Sequence, residues 1–589
     1  MSVQPRRKAS EGFKRVVNDW FMQIKMNLWI FFGLFIIQIF LFFLVLHWFP
    51  LDFTPLRYWP QLIISSLWAT FPNHPVVVLD LGEGLHTYLA TDVRDWILSL
   101  MSKFLQHGGK IFVSTSSVYL FGFLAQYYFR SVSNENSKLK HLRGAQVISE
   151  KELQNEIRNK NEKTTFSIGS VPMLSSYNLQ HGLILGANGT GKTNLQSGMY
   201  ESLVEQGYKI ILYDYKRELY KRHFRPGRDL LFDPVHECQD SIAWTPFNEF
   251  TNKLSVAATS GSLFAPSANE REPYWRVAPR EVASGLLHYL WRTNQRTNKD
   301  IWNAINLPVE EIRKRLKRIP EGLMGLRHLE GTDGQLLPQT AGVLSGLAQY
   351  MSAFNYMQDI RGSFSITSWI RDGKPGTMFL TNSISAQDEV KGVFTLFLDL
   401  AGYGLAEMPD DLNRKVVFMF DEFGTLHRLN IIVKLLATIR SRGGSVWLAA
   451  QDLGSILRVY GEEDTETLFN NCGTKVIFRV DAPKTLSFVE QAFGEREILV
   501  TEEGFTMGTE NNRDGLSLGR KTRIEKVVLG SEISTLPNLH CYLKMLHHNP
   551  ARIHTPLRIF PERNPDLKIR KGLDLDKTII PEEDEPLSF

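Results

Sequence analysis

Cysteine is scarce in this 589-residue sequence: only Cys238, Cys472 and Cys541 occur, at a spacing that suits neither a disulfide framework nor a zinc site. They read as reduced, structural thiols. No zinc finger, helix-turn-helix or aromatic RNA-binding signature is present, and no internal repeat. An excess of one charge is also missing, since 67 Lys and Arg stand against 63 Asp and Glu for a net +4. That balance neither demands nor excludes nucleic acid, because a local stripe matters more than the total. At this length three or more structural units are expected.

Two uncharged runs do occur near the N-terminus. Leu28 to Trp48 holds 21 residues without Asp, Glu, Lys or Arg, matching the roughly 20 apolar residues that cross a bilayer as a helix. The run is too long for a signal-peptide core, and no small-residue cleavage site follows it. Ile111 to Phe129 is a second run of 19, more polar, between Lys110 and Arg130. Each has a buried core helix as its alternative. Arg6, Arg7, Lys8, Lys14, Arg15 and Lys25 precede the first run, and Arg130, Lys138, Lys140 and Arg143 follow the second. The interval 49–110 carries only Arg57, Arg94, Lys103 and Lys110. Basic flanks stay cytoplasmic, so both termini are expected inside and the loop 49–110 outside.

The segment "GANGTGKT", Gly186 to Thr193, fits the phosphate-cradling pattern G-x-x-x-x-G-K-[ST]. An apolar "HGLILG" precedes it, a helix-like "KTNLQSGMYESLVEQG" follows, and then the apolar "YKIILYDY". Strand, loop, helix and strand are the context that the motif needs. Gly186, Gly189 and Gly191 let backbone amides turn onto phosphate oxygens; Ala187, Asn188, Thr190 and Asn194 complete the expected nucleotide-binding stretch. Lys192 adds a point charge at the β- and γ-phosphates, Thr193 offers Mg²⁺ a hydroxyl, and the helix N-terminus adds its dipole. ATP with Mg²⁺ is the expected cofactor.

A partner for this loop is "RKVVFMFDEFGTL", in which the buried-strand run Val416 to Phe420 ends in Asp421 and Glu422. Open α/β sheets bind ligands at that end of their strands. Asp421 is expected to hold Mg²⁺, and Glu422 to orient and deprotonate the attacking water. Paired carboxylates favour ATP hydrolysis over a GTP switch. A third strand, Gly444 to Asp452, carries Gln451, a neutral amide suited to sensing the γ-phosphate or holding the lytic water. Arg440 and Arg442 lie just before it. A solvated helix end is one reading of that pair; an arginine finger toward a neighbouring subunit is the other.

The ordered set "GANGTGKT", "YDYKREL", "LLFDP…WTPF", "EPYW", "MFDEFGTL" and "IRSRGGSVWLAAQD" resembles the coupling proteins of conjugative type IV secretion systems, and more narrowly their TraD-like members. "YGEEDTETLFNNCGTKVIFRV" and "ISTLPNLHCYLKM" extend the resemblance to roughly residues 15–560. It implies a hexameric inner-membrane ATPase related to RecA-like and FtsK-like motors. Such a motor recruits the relaxase–DNA complex, or relaxosome, and feeds single-stranded DNA toward the components of the secretion channel. The family pattern places its arginine at Arg440. It also implies an all-α domain inserted in an α/β, RecA-like P-loop ATPase domain, preceded by two transmembrane helices. The expected division is a cytoplasmic 1–27, spans 28–48 and 111–129 around a periplasmic 49–110, ATPase parts 130–250 and 361–561 around the insert 251–360, and a flexible tail 562–589.

Candidate nucleic-acid contacts are "KLKHLR" (138–143), "RKRLKR" (313–318) and "GRKTR" (519–523). A juxtamembrane lipid anchor, a solvated helix face and a hairpin or mobile loop beside "GTENNRDGLSLG" are their simpler readings. Two functional alternatives stay open: a secretion ATPase for protein effectors without DNA, and a nucleotide-binding membrane scaffold that does not hydrolyse ATP.

Overall fold

The computed structural model describes residues 5–564 apart from 49, 72–75, 81–83, 137–139, 178, 236–239, 269, 382–385 and 507–514. The side chains of the N-terminal basic residues, Lys138, Cys238 and nearly all of the acidic tail therefore lie outside the described residues. The chain divides into two units, residues 1–140 with 500–521 and residues 141–499 with 522–589.

In the first unit, a helix over Pro5–Trp48 contains one stretch long and apolar enough to cross a membrane, Asn27–Trp48, with mean hydropathy 2.7. The second uncharged run lies inside a helix over Ala90–Asn136 and falls short of that test. Its hydroxyls explain why. Ser114 and Thr115 donate to Ile111 O at 2.9 and 3.0 Å, and Ser117 donates to Ser114 O at 2.7 Å. Each polar group is thereby satisfied within its own helix, as a low-dielectric surrounding requires. Across the pair, Gln38 Nε2 donates to Ser116 Oγ at 3.3 Å. Between the two helices, antiparallel strands Val76–Asp80 and Leu85–Leu89 cover a small core of Val77, Leu79, Ala90, Val93 and Ile97.

The second unit is built on a ten-stranded sheet. Its strands in chain order are β1 (Ile148–Ser149), β2 (Gly182–Leu185), β3 (Lys209–Tyr213), β4 (Leu230–Phe232), β5 (Gly376–Leu380), β6 (Val416–Phe420), β7 (Gly444–Ala450), β8 (Thr474–Ile477), β9 (His540–Lys544) and β10 (Ala551–His554). Their spatial order is β1-β10-β9-β8-β2-β7-β6-β3-β5-β4. From β8 to β4 all seven are parallel; β9 runs antiparallel to both of its neighbours. The parallel strands are apolar without alternation because both faces are covered. Ile184, Ile210, Leu212, Val417 and Met419 face one core, with Met199 and Tyr200 of the helix Lys192–Glu205. Leu183, Ile211, Phe418 and Leu448 face the other, with the helix Gln387–Ala406.

Between β4 and β5, every helix and strand in the interval 251–360 is a helix, from Lys253–Leu263 to Ala353–Tyr356. The buried Glu249 fastens both ends of this interval. Its carboxylate accepts from Trp244 Nε1 at 2.9 Å before the helices, and from Ser365 Oγ and Ile366 N at 2.9 and 2.8 Å after them. The "WTPF" segment therefore has a structural explanation. Residues 507–514 fall between strands Glu495–Thr506 and Gly515–Lys526, so the expected loop lies mostly outside the described residues.

Candidate active site

Four neighbouring strands end at the same edge of the sheet. β2 runs into the phosphate loop, β3 into Asp214, β6 into Asp421 and Glu422, and β7 into Gln451. Two strands, β7 and β6, separate β2 from β3, and such a break in strand order opens a crevice at the carboxyl edge. A cleft of about 500 Å³ lies there, lined by the loop from Ala187 to Asn194, by Lys216, Glu218 and Arg222, and by Asp421 and Glu422.

The loop takes its shape from glycine at two positions. Gly189 has φ 74° and Gly191 φ 118°, in the left-handed region that a side chain resists. Gly191 stands immediately before the helix Lys192–Glu205, so the free amides of the first turn face the cleft. Lys192 folds back onto the loop, donating to Gly186 O and, at 3.3 Å, to Ala187 O. Burial holds its ammonium below the ordinary lysine range, and Glu422 opposes that shift. Gln196 on the same helix donates to Phe420 O at 3.1 Å, joining the phosphate loop to the acidic strand.

Asp421 and Glu422 are 4% and 5% exposed. Burial raises the Asp421 carboxyl, with Glu422 and then Glu218 adding to the shift. Burial also raises Glu422, against a hydrogen bond from Gln451 N at 3.1 Å. It is therefore the backbone amide of Gln451, rather than its side chain, that meets the carboxylate. Asp214 is raised by burial and by Asp421, and caps the following helix through Tyr220 N at 2.6 Å. Asp421 and Glu422 bring buried carboxylate oxygens to the cleft wall opposite the phosphate loop. Such a set fits a divalent cation, with Thr193 at the cleft wall as the hydroxyl ligand.

Other expected residues fall elsewhere. Asn194 uses both ends of its amide on a distant segment of its own chain, donating to Pro556 O at 2.9 Å and accepting from Arg558 N at 2.8 Å. Arg440 and Arg442 sit at the opposite edge of the sheet, before β7 begins. Seven residues of strand put roughly 20 Å between them and the cleft. Arg442 is held in place, donating to Met408 O at 3.1 Å and Thr438 O at 3.0 Å. Arg440 is exposed, and no hydrogen bond or ion pair engages its side chain among the described residues.

Lys216, Glu218 and Arg222 were not singled out from the sequence, although "YDYKREL" carries Lys216 and Glu218, and Arg222 lies one turn further along the same helix. Their signal was charge placed directly after a buried strand, the same signal that marked Asp421. Lys216 Nζ donates to Asn188 Oδ1 at 3.0 Å, on the phosphate loop itself. The basic stretch "RKRLKR" is largely neutralised within the chain. Arg313 pairs with Glu310 at 2.8 Å and with Glu330, Lys314 with Glu311 at 2.5 Å, and Lys317 with Glu330 at 2.9 Å. In "KLKHLR", Arg143 pairs with Glu497.

A phosphate loop facing paired buried carboxylates at the edge of a parallel sheet defines a nucleotide-binding α/β protein. The family model of the type IV secretion-system coupling protein DNA-binding domain matches residues 165–555, and the chain belongs to that family of coupling proteins. It is 26% identical over 411 residues to the coupling protein TraD of Escherichia coli K12, covering 68% of this chain and 56% of that one. Against the coupling protein VirD4 of Bartonella quintana the identity is 21%, over 44% of this chain and 40% of the relative. The chain thus spans about half the length of the curated relatives it matches. Among solved structures, the conjugative coupling protein TrwBdeltaN70 superposes with a TM-score of 0.62 at 21% identity, covering 72% of this chain and 96% of that one. TrwB has also been solved with ADP and Mg²⁺ (TM-score 0.61) and with a non-hydrolysable ATP analogue (0.62), each at 21% identity over 72% of this chain and 97% and 96% of theirs.

Proposed function

We propose that the chain is an ATP-hydrolysing motor of a conjugative type IV secretion system, held at the bacterial inner membrane, that recruits a relaxase–DNA complex and moves single-stranded DNA toward the channel. The observation that carries it is the burial of Asp421 and Glu422 beside Lys192, in a member of the coupling-protein family. Bound ATP and Mg²⁺ supply the phosphoanhydride to be cleaved and the Lewis acid beside it. The loop amides and Lys192 hold the β- and γ-phosphates, while Thr193 and Asp421 are the metal ligands. Glu422, which burial makes a stronger base than a free carboxylate, takes the proton of the attacking water. Lys216 adds a second cation beside the loop.

Arg440 completes the reading. It lies at the wrong edge to serve its own cleft, and it is exposed and unengaged, as a group reserved for a neighbouring copy should be. A ring of copies, six by the family resemblance, brings the two edges together. Arg442, bonded to its own chain, is the structural member of the pair. A second membrane span beside Asn27–Trp48 is supported by the Gln38–Ser116 bond and by the internal satisfaction of the second helix's hydroxyls, and the basic flanks of the two runs support termini that lie inside.

A second reading keeps the motor and replaces the DNA with protein effectors. The neutralisation of "RKRLKR" favours it. Titrating single-stranded DNA into an ATPase assay of the full chain decides between them: stimulation supports DNA as cargo, and indifference supports protein. Absence of any turnover would leave only the non-hydrolysing scaffold.

A further inference from the structure

Residues Thr555–Asn564 form a strap that is fastened at three places. At its start, Leu539 takes a left-handed φ of 63° that costs a bulky side chain energy, and its backbone is bonded on both sides. Leu539 N donates to Thr190 O of the phosphate loop at 2.9 Å; Leu539 O accepts from Thr555 N at 2.7 Å and Thr555 Oγ1 at 2.9 Å. The Asn194 amide pins the next stretch through Pro556 O and Arg558 N. At the far end, Arg563 N and Asn564 N donate to Lys221 O at 2.8 and 2.9 Å, and Asn564 Nδ2 donates to Phe224 O at 2.7 Å.

Between these fastenings the strap lines the cleft with Leu557, Ile559 and Phe560, and Leu539 joins them. Leu557 is 66% exposed and Ile559 89%. Phe560 is steadied edge-on by the His223 ring, centroids 5.0 Å apart. The Arg558 guanidinium is tucked against the phosphate-loop helix, where a Cβ on Gly198 would lie 2.8 Å from Nη1. A backbone tied down at both ends while its apolar side chains stay in solvent is an ordered surface without a covering partner.

We propose that this strap is the base subsite: Leu539, Leu557, Ile559 and Phe560 receive the flat face of a purine whose phosphates occupy the loop. This rests on the nucleotide reading of the cleft and deepens it. The apolar side chains of this wall grip the heterocycle by its face, while Arg558, which also lines the cleft, is turned against the phosphate-loop helix at Gly198. Asn194 then acts on the base indirectly, as the clamp that holds the wall beside the loop.

The test is calorimetric titration of the full-length protein, in detergent with Mg²⁺, with ADP and with inorganic tripolyphosphate, which has phosphates and no base. In a Leu557→Ser/Ile559→Ser double variant, ADP affinity is expected to fall roughly tenfold or more. Tripolyphosphate affinity should stay unchanged. Asn194→Ala, which frees the strap without altering its apolar residues, should weaken ADP selectively in the same way. Equal weakening of both ligands would overturn the subsite, since the strap would then be supporting the loop. Unchanged ADP affinity with loss of assembly by light scattering would overturn it too, assigning the apolar wall to a neighbouring copy. A wild-type protein that binds neither ligand would remove the nucleotide site itself.

Discussion

The two edges of the large sheet are built in opposite ways. At the carboxyl edge the charged groups are buried and shifted by one another through space, as in Lys192, Asp421 and Glu422. At the amino edge, His181 is buried and held neutral, pushed down to about 4, donating through Nε2 to Leu436 O at 2.8 Å and accepting at Nδ1 from Val446 N at 3.1 Å. Beside it Arg442 is tied to carbonyls, and Arg440 reaches solvent without a partner among the described residues. One edge is preorganised, its reorganisation cost met on folding. The other edge presents Arg440 to solvent on a rigid mount. The contrast teaches that, under the proposed ring, each copy would carry two unlike halves of one site.

The largest effect should come from the buried edge. Lys192→Ala is expected to lower ATP turnover roughly 10³-fold or more and to abolish transfer, measured as phosphate release and as conjugation frequency. Wild-type transfer by that variant would sink the assignment. Arg440→Ala should lower turnover of the assembled protein by about 10³-fold with nearly unchanged nucleotide affinity, because its proposed target lies on a neighbour. Full turnover by a protein shown by light scattering to be monomeric would break the division between the edges.

Arg442→Ala sharpens the same contrast on a smaller scale. Losing charged hydrogen bonds to Met408 O and Thr438 O should cost roughly 1.5–3 kcal/mol of stability in a denaturant titration. Turnover of the folded fraction should remain. If Arg442→Ala lost turnover and Arg440→Ala did not, their roles would be exchanged.

The smallest expected effect concerns Asp399, which links the two faces of one core. Its carboxylate accepts from Ser262 Oγ at 2.6 Å and from Asn430 N and Ile431 N, both at 3.2 Å. Burial raises its pKa from 3.8 to about 6. Between those values the folded state holds a proton that the unfolded state has released. Stability therefore falls as pH rises through that window, and the penalty is constant above it. Asp399→Asn should remove a slope worth at most one proton, read as a flatter dependence of Tm on pH between 4 and 6. An identical slope in the variant would show that Asp399 does not titrate there.

The phosphate loop and the acidic strand were legible in the sequence because a buried parallel strand is a continuous apolar run, and the residue ending it inherits a fixed place at the sheet edge. Val416 to Phe420 forms β6 and delivers Asp421 as that rule requires. Lys216 and Glu218 obey the same rule after β3 and carry no motif of their own. The strap was not legible, since its place beside the loop depends on Leu539 and Asn194, which meet it across 16 and 364 residues of sequence. Arg440 and Arg442 were indistinguishable by spacing; only the carbonyls surrounding Arg442 separate them. The second apolar run, with Ser114 to Ser117 in it, looks weak by composition because its hydroxyls are counted as polar whether or not the helix satisfies them.

Glu249 gives the helical interval 251–360 a particular status. One carboxylate gathers the strand-side indole before the interval and the backbone after it, so the two ends leave the sheet side by side from a single fastening. What lies between them is an insertion that leaves and rejoins the sheet at one fastening, and it is also welded on from the side: Ser262 donates to Asp399, and Leu286 and Phe354 share a core with Phe397. A replacement bundle would have to rebuild that second attachment as well as the first.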